Sequence, residues 1–331
     1  MTSPLSIDVL SLLRCPSCRS SLEPQGDGYV CPGCQRAFPH ERGVTRFVPV
    51  ENYADSFGFQ WQRYARTQLD DPASDQSEKD FRRKTGLTPE DLKGKLVLDV
   101  GCGMGRFADV ATRWGANVVG IDLSAAAEVA ARNLADREFV AFQADVFALP
   151  FAPESFDFIY SIGVLHHTPN CEQAVKALPQ YLKPGGTLAV WLYSSYNKWY
   201  KFSDIYRKVT HRMPAKTLHG ILSVVVPTVN AVDGTLRVVP GIGPPLSGLV
   251  RYLFPVNRDP IRQWRVLDTF DWYSPQYQSK HTYEEVFRWF ESCGLDDLKV
   301  IEQPIAVQGR RPFSSELSPP SGEQEVSQCA G

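Results

Sequence analysis

The chain of 331 residues lacks a dominant charge: 35 Lys and Arg stand against 37 Asp and Glu, a net −2. Without an excess of either sign, no whole-protein field recruits nucleic acid or an anionic membrane. It has no uninterrupted apolar run of about 18 residues, so a membrane-spanning helix is not expected from hydropathy. No apolar stretch of adequate length follows a basic start, so no secretion signal is read and a cytoplasmic location is the default. Lysine is missing from the first 50 residues, where five Arg are offset by Asp8, Glu23, Asp27 and Glu41. A surface that tracks phosphates should be more basic than that. What remains is ordinary globular composition, 43% hydrophobic and 22% charged, in a chain long enough for one large domain with additions.

Eight cysteines are present, and the first four stand as Cys15-x2-Cys18 and Cys31-x2-Cys34. Without a secretion signal, paired knuckles of this kind favour zinc over disulfides. Tetrahedral thiolate coordination needs the two turns face to face, and the twelve residues between Cys18 and Cys31 suffice for a hairpin. Pro16 and Gly33 suit tight knuckles. Residues 1–50 are therefore expected to form a metal module holding a structural zinc. Residues 51–94 form a linker with a helix, Ser56 to Leu69, that places Phe57, Trp61 and Tyr64 on one face. The polar residues 70–80 read as a hinge or lid edge.

The rest of the chain is organised around Lys95 to Asp122. Leu96 to Val100 is too short an apolar run for a helix and fits a buried parallel strand. Gly101-Cys102-Gly103-Met104-Gly105 follows, then a helical pattern from Arg106 to Trp114, a second strand over Asn117 to Ile121, and Asp122 at its end. A glycine turn lets backbone approach a nucleotide closely, and an acid about 20 residues on accepts hydrogen bonds from ribose hydroxyls. Here the spacing from Gly101 to Asp122 is 21 residues. The third glycine of a dinucleotide fingerprint is absent, because Arg106 occupies its place. A nucleoside with a charged amino-acid tail is the better guest.

Val97 to Phe107 resembles the first motif of class I S-adenosylmethionine-dependent methyltransferases. Further motifs occur in matching order: Gln143-Ala144-Asp145-Val146, similar to the adenine motif; the strand Ser155 to Ser161 with its exit Ile162 to Pro169; and Leu182-Lys183-Pro184-Gly185-Gly186 leading into a fifth strand, Thr187 to Tyr193. The resemblance covers roughly residues 50–195 and 266–310. It implies a doubly wound α/β fold, a seven-stranded Rossmann-like sheet with the N-terminal zinc ribbon and an inserted helical cap. It implies S-adenosylmethionine as cofactor, held by Asp99, Gly101, Gly103, Gly105, Asp122, Leu123, Asp145, Val146 and Ser161. The family's leading helix often crosses the cofactor cleft, which would bring Trp61 or Arg63 to it. His166 and His167, beyond the fourth strand, are the candidate general bases, since an imidazole titrates near neutrality.

The methyltransferase domain is thus expected over 95–195 and 266–311. Thr282-x-x-Glu285 is a capping box opening its last helix, which Gly294 closes, and two final strands follow. The segment 312–331 is Ser-, Pro- and Glu-rich and reads as disordered. Between strand five and the resumed fold, 196–265 must carry structure of its own. It is more apolar than basic, which favours a small-molecule or amphipathic acceptor over a polynucleotide and leaves room for peripheral membrane contact. No Asn-Pro-Pro-Tyr follows strand four, which disfavours the amino-methylating enzymes of DNA and glutamine. The zinc ribbon also resembles modules that accompany tRNA and rRNA methyltransferases, so an RNA acceptor is the alternative. A partner-binding module with a vestigial catalytic half is the alternative of another class.

Overall fold

The structure is a computed structural model and describes residues 8–49, 52–72, 74–196 and 201–313. The N-terminal module opens with α1 (Val9–Leu12), followed by β1 (Glu23–Gln25), β2 (Gly28–Val30) and β3 (Ala37–Phe38), which form a three-stranded antiparallel sheet. Then come β4 (His40–Glu41), β5 (Val44–Arg46), α2 (Asp55–Arg63), α3 (Gln76–Thr85) and α4 (Pro89–Leu92). The αβ core alternates β6 (Leu96–Val100), α5 (Arg106–Arg113), β7 (Asn117–Asp122), α6 (Ala126–Asn133), β8 (Phe139–Gln143), β9 (Phe156–Ile162), α7 (Cys171–Lys176) and β10 (Leu182–Trp191). Four helices follow, α8 (Lys201–Thr210), α9 (Ala215–Arg237), α10 (Gly243–Leu253) and α11 (Arg262–Tyr273), and the chain returns through α12 (Tyr283–Ser292), β11 (Asp296–Val300) and β12 (Ala306–Arg310).

The main sheet runs β11-β12-β10-β9-β6-β7-β8-β5-β4. Strands β10, β9, β6, β7, β8 and β5 are parallel neighbours, while β12 lies antiparallel on β10. All five residues of β6 are buried, as a strand covered on both faces requires. The chain winds from β6 through β7 to β8 on one side, then crosses to β9 and β10 on the other. The crevice beyond the carboxyl ends of β6 and β9 is therefore the topological switch point, where this architecture binds ligands.

The sheet has nine strands rather than seven. The N-terminal module donates β4 and β5, and β5 pairs parallel with β8 through Thr45 opposite Phe142. The buried Arg46 side chain fixes that junction, bonding Gln143 and reaching Glu128 of α6 at 2.5 Å. The module is thus built into the domain and not merely linked to it. Residues 76–85 are helix α3, not a hinge. Phe81 anchors α3 in the core, and ion pairs Glu78–Arg82 and Glu78–Arg113 hold its polar side. Helix α11 runs unbroken across the expected boundary at 265/266, so the cap passes into the domain without a joint and the αβ pattern resumes at α12. The capping box at Thr282 and Glu285 is present. From residue 314 onward the C-terminal segment lies outside the described residues.

Candidate active site

A cavity of about 1180 Å³ opens at the switch point, between the glycine turn and the inner faces of α2, α3 and α11. Its floor is the turn after β6. Gly101 has φ +83°, and a Cβ there would stand 2.4 Å from Val164 at the exit of β9, so only glycine lets the two loops meet. At Gly103 a Cβ would fall 3.1 Å from the Trp61 indole nitrogen, so α2 lays that ring directly over the turn. Trp61 lines the cavity, while Arg63 is exposed and does not.

Asp122 projects into the same space from the end of β7. Its Oδ2 accepts from the Gly103 N–H at 3.0 Å, and its Oδ1 accepts from the Ser124 N–H and hydroxyl at 2.8 and 2.7 Å. The carboxylate therefore ties the turn to the next strand. Its two oxygens offer about four lone-pair sites, which leaves one over for a ligand hydroxyl. Burial raises its pKa, and the Ser124 and Gly103 donors oppose that rise.

Of the sequence-predicted residues, Gly101, Gly103, Asp122 and His167 come together at the cavity wall. The others stand behind it or beside it. Asp99 is buried in β6, where it accepts from the Tyr160 hydroxyl at 3.0 Å, and burial pushes its carboxyl up to about 8. Gly105 caps the start of α5 in the left-handed region. The Ser161 hydroxyl donates to the Val100 carbonyl within the sheet. The Leu123 carbonyl accepts from Asn52 and Gln143. Asp145 accepts from the Phe147 N–H at 3.0 Å and caps a short 3-10 turn over Val146–Ala148. Tyr53, which sequence reasoning passed over, is half-buried near Asp145 and Asp122; burial raises its hydroxyl's pKa and those charges add to the rise.

The two histidines part company. His166 is fully buried, does not line the cavity and stacks on Tyr193 with ring centroids 3.8 Å apart. His167 lines the cavity. Its Nδ1 lies 3.0 Å from the Tyr277 carbonyl, and a carbonyl only accepts, so Nδ1 carries the proton and Nε2 keeps a lone pair. That Nε2 is shielded from solvent and has no hydrogen-bond partner among the described residues. Burial lowers the pKa of both rings, and at His167 the nearby Asp271 carboxylate works the other way. Asp271 also accepts from the Tyr193 hydroxyl at 2.9 Å. Neutral His167 thus presents an unpartnered base nitrogen, with an acid near enough to offset a positive charge on the ring.

The far end of the cavity combines aromatic and charged groups, of which the sequence singled out Arg106 alone. Arg106, in the place of the missing third glycine, bonds Asp80 at 2.8 Å and stacks on Trp264 of α11 at 5.0 Å. Lys84 points over the Trp191 ring at 4.2 Å, and burial, then Arg106, lowers its pKa to about 8. Asp268 is pushed up to about 7 by burial and then by Asp271.

Away from the cavity, the four sulfurs of Cys15, Cys18, Cys31 and Cys34 lie within 4.8 Å of one another. Cys15 approaches Cys34 at 3.6 Å and Cys18 approaches Cys31 at 3.3 Å. Four thiolates about 2.3 Å from one ion would stand at such separations, so the set fits a tetrahedral zinc. Each knuckle closes the same way, with a left-handed residue after the second cysteine, Arg19 at φ +65° and Gln35 at φ +59°. The module grips the loop after Asp145: Arg19 donates to the Leu149 and Phe151 carbonyls, and the Arg14 N–H to Pro150.

Residues 98–190 match the family described as methyltransferase domain. This stretch is a class I S-adenosylmethionine-dependent methyltransferase domain. Among curated proteins, the chain is 34% identical over 137 residues to human "Probable tRNA methyltransferase 9B", covering 40% of this chain and 29% of the relative. It is 40% identical over 105 residues to "Methyltransferase GfsG" of Streptomyces halstedii, covering 29% and 37%. It is 34% identical over 113 residues to "Ubiquinone biosynthesis O-methyltransferase" of Coxiella burnetii, covering 33% and 47%. The chain spans less than half the length of these relatives.

Proposed function

We propose that the protein methylates a small or amphipathic acceptor, held in the cavity beneath the cap, at an oxygen, nitrogen or sulfur atom. The observation that carries this is the cavity itself: one space of about 1180 Å³ joins the glycine turn and Asp122 to an aromatic wall supplied by Trp61 of α2, Trp191 of β10 and Trp264 and Trp272 of α11. Ligand sites commonly run to about 300–1,000 Å³, so this space has room for a cofactor and an acceptor together. S-adenosylmethionine, when bound, supplies a methyl group on a sulfonium centre. Gly101 and Gly103 give it close backbone approach, and Asp122 offers the remaining acceptor site to its ribose. His167 takes the proton from the acceptor's nucleophilic atom at Nε2, while the Tyr277 carbonyl holds its tautomer and Asp271 balances the charge. Trp61 and the aromatic side chains of α11 at the cavity wall keep the acceptor aligned, and in a displacement of this kind alignment supplies much of the rate gain. In the same reading Cys15, Cys18, Cys31 and Cys34 hold a structural zinc.

The name of the Coxiella relative points to a small-molecule acceptor and that of the human relative to RNA, so the test separates the two. Purified protein is given labelled S-adenosylmethionine and fractions of cell extract. Label is expected in a nuclease-resistant, organic-extractable product. His167→Ala should cut its formation by about 10²- to 10⁴-fold, the range for a general base, with cofactor affinity unchanged. Label that nuclease treatment releases would refute the small-molecule reading.

A further inference from the structure

The charge of this chain is distributed very unevenly. Residues 196–265 contain eleven Lys and Arg and only three acids, Asp204, Asp233 and Asp259, a net +8 in a chain whose total is −2. The remainder is therefore at −10. Within this basic segment α9 and α10 form an antiparallel hairpin. One face of α9 is buried through Leu218, Leu222 and Val226, which pack with Phe270 and Tyr273 of α11. The opposite face and the tip of the hairpin are apolar and exposed. Val224 is 67% exposed, and at the tip Val238 and Ile242 are 78% and 67% exposed. A surface helix normally confines its apolar residues to the core side, so a second apolar face asks for a partner.

Next to the tip, three guanidinium groups gather on one carboxylate. Asp233 receives Arg237 at 2.8 Å, Arg251 at 2.9 Å and Arg258 at 3.3 Å. One negative charge cannot balance three positive ones, so about one helical turn behind the apolar tip the hairpin carries an excess of two. Helix α9 is long and apolar enough to cross a membrane by length and composition alone. Its buried Asp233 and its packing on α10 and α11 instead suit a helix lying along a surface.

We propose that the tip and outer face of the α9–α10 hairpin dock on an anionic phospholipid bilayer. The Val and Ile side chains would enter the acyl boundary, and the arginines would meet the phosphate layer. Charge selects this occupant over the others. A second copy would bring two segments of +8 together, and a nucleic acid would leave the apolar tip without a matching surface. Docking does not depend on the identity of the methyl acceptor. If that acceptor is dissolved in lipid, the same face would bring the cavity to it.

The test is co-flotation of the full chain, without S-adenosylmethionine, with vesicles of phosphatidylcholine alone or containing about 30% phosphatidylglycerol. Binding is expected to the anionic vesicles only and to weaken as salt rises from about 0.1 to 0.5 M. Val238→Asp with Ile242→Asp should reduce it at least tenfold, roughly, by removing the inserted groups. The melting temperature should not move, since both side chains are exposed. Equal binding to neutral vesicles, no binding at all, or full binding by the double variant would overturn the proposal. So would a dimer that the double variant dissolves, which would assign the face to a second copy, or RNA binding that it abolishes.

Discussion

Replacing Asp122 with Ala tests the site at the residue that both builds it and faces the ligand. The substitution removes three hydrogen bonds internal to the protein, from the Gly103 N–H and from the Ser124 N–H and hydroxyl. At about 1 kcal/mol each, these should lower stability by roughly 2–3 kcal/mol and the melting temperature by several degrees. It also removes the acceptor site for the ribose, a charge-assisted interaction worth about 1.5–3 kcal/mol. The dissociation constant for S-adenosylmethionine should then rise by about 10- to 150-fold. Asp122→Asn would not be a mild control: both oxygens face protein donors, so the amide nitrogen must point at one of them. Calorimetric titration with the cofactor, run beside a thermal melt, separates the two losses. A folded Asp122→Ala protein that binds within about twofold of the parent would refute the assignment of this carboxylate.

For the proposed zinc site, the parent protein should carry one zinc per chain and Cys31→Ser should lose it with the grip of Arg19 on the 149–151 loop, read by elemental analysis and by a drop in melting temperature. Parent protein without bound metal would refute the site. Asp99→Asn addresses the buried acid of β6, whose folded pKa of about 8 lies above its unfolded value. Such a group makes the unfolded chain the stronger acid, so stability falls as pH rises from the ordinary carboxylate range to about 8, by at most about 1.4 kcal/mol per pH unit. The asparagine variant should flatten that fall in denaturant titrations between pH 5 and pH 8, approximately the window set by the two values. An unchanged slope would show that Asp99 is not the source.

The features legible in the sequence are those whose cause is local. A five-residue apolar run, a left-handed glycine turn and an amphipathic helix specify β6 to α5 through neighbouring residues alone, and two C-x-x-C knuckles bring their own sulfurs together. The extra strands were not legible, because β4 and β5 have two and three residues and their pairing is decided by Arg46 meeting Glu128 and Gln143 from far along the chain. Helix α3 was hidden for another reason. Its polar face is held by ion pairs with α5, leaving Phe81 as the lone deeply buried aromatic in a stretch that reads as loop. The same distance effect obscured the far end of the cavity. Arg106, Lys84 and Trp264 come from three separate segments, and no spacing rule connects them. The sequence does not distinguish His166 from His167; the Tyr193 ring takes one and the Tyr277 carbonyl the other.

The placement of β5 beside β8 also sets an order of events in biosynthesis. The cysteine module leaves the ribosome before the αβ core, yet its strand pairs with residues made nearly a hundred positions later, Thr45 with Phe142. Until then the module must wait, folded locally or not, and β8 stays an open, hydrophobic sheet border of the kind that recruits other chains. Once docked, the border passes to β4, two residues long and polar, while the opposite border, β11, carries Asp296, Asp297 and Lys299. A lesion in the cysteine knuckles would therefore be felt first as aggregation of newly made chains, before any effect on turnover is measured.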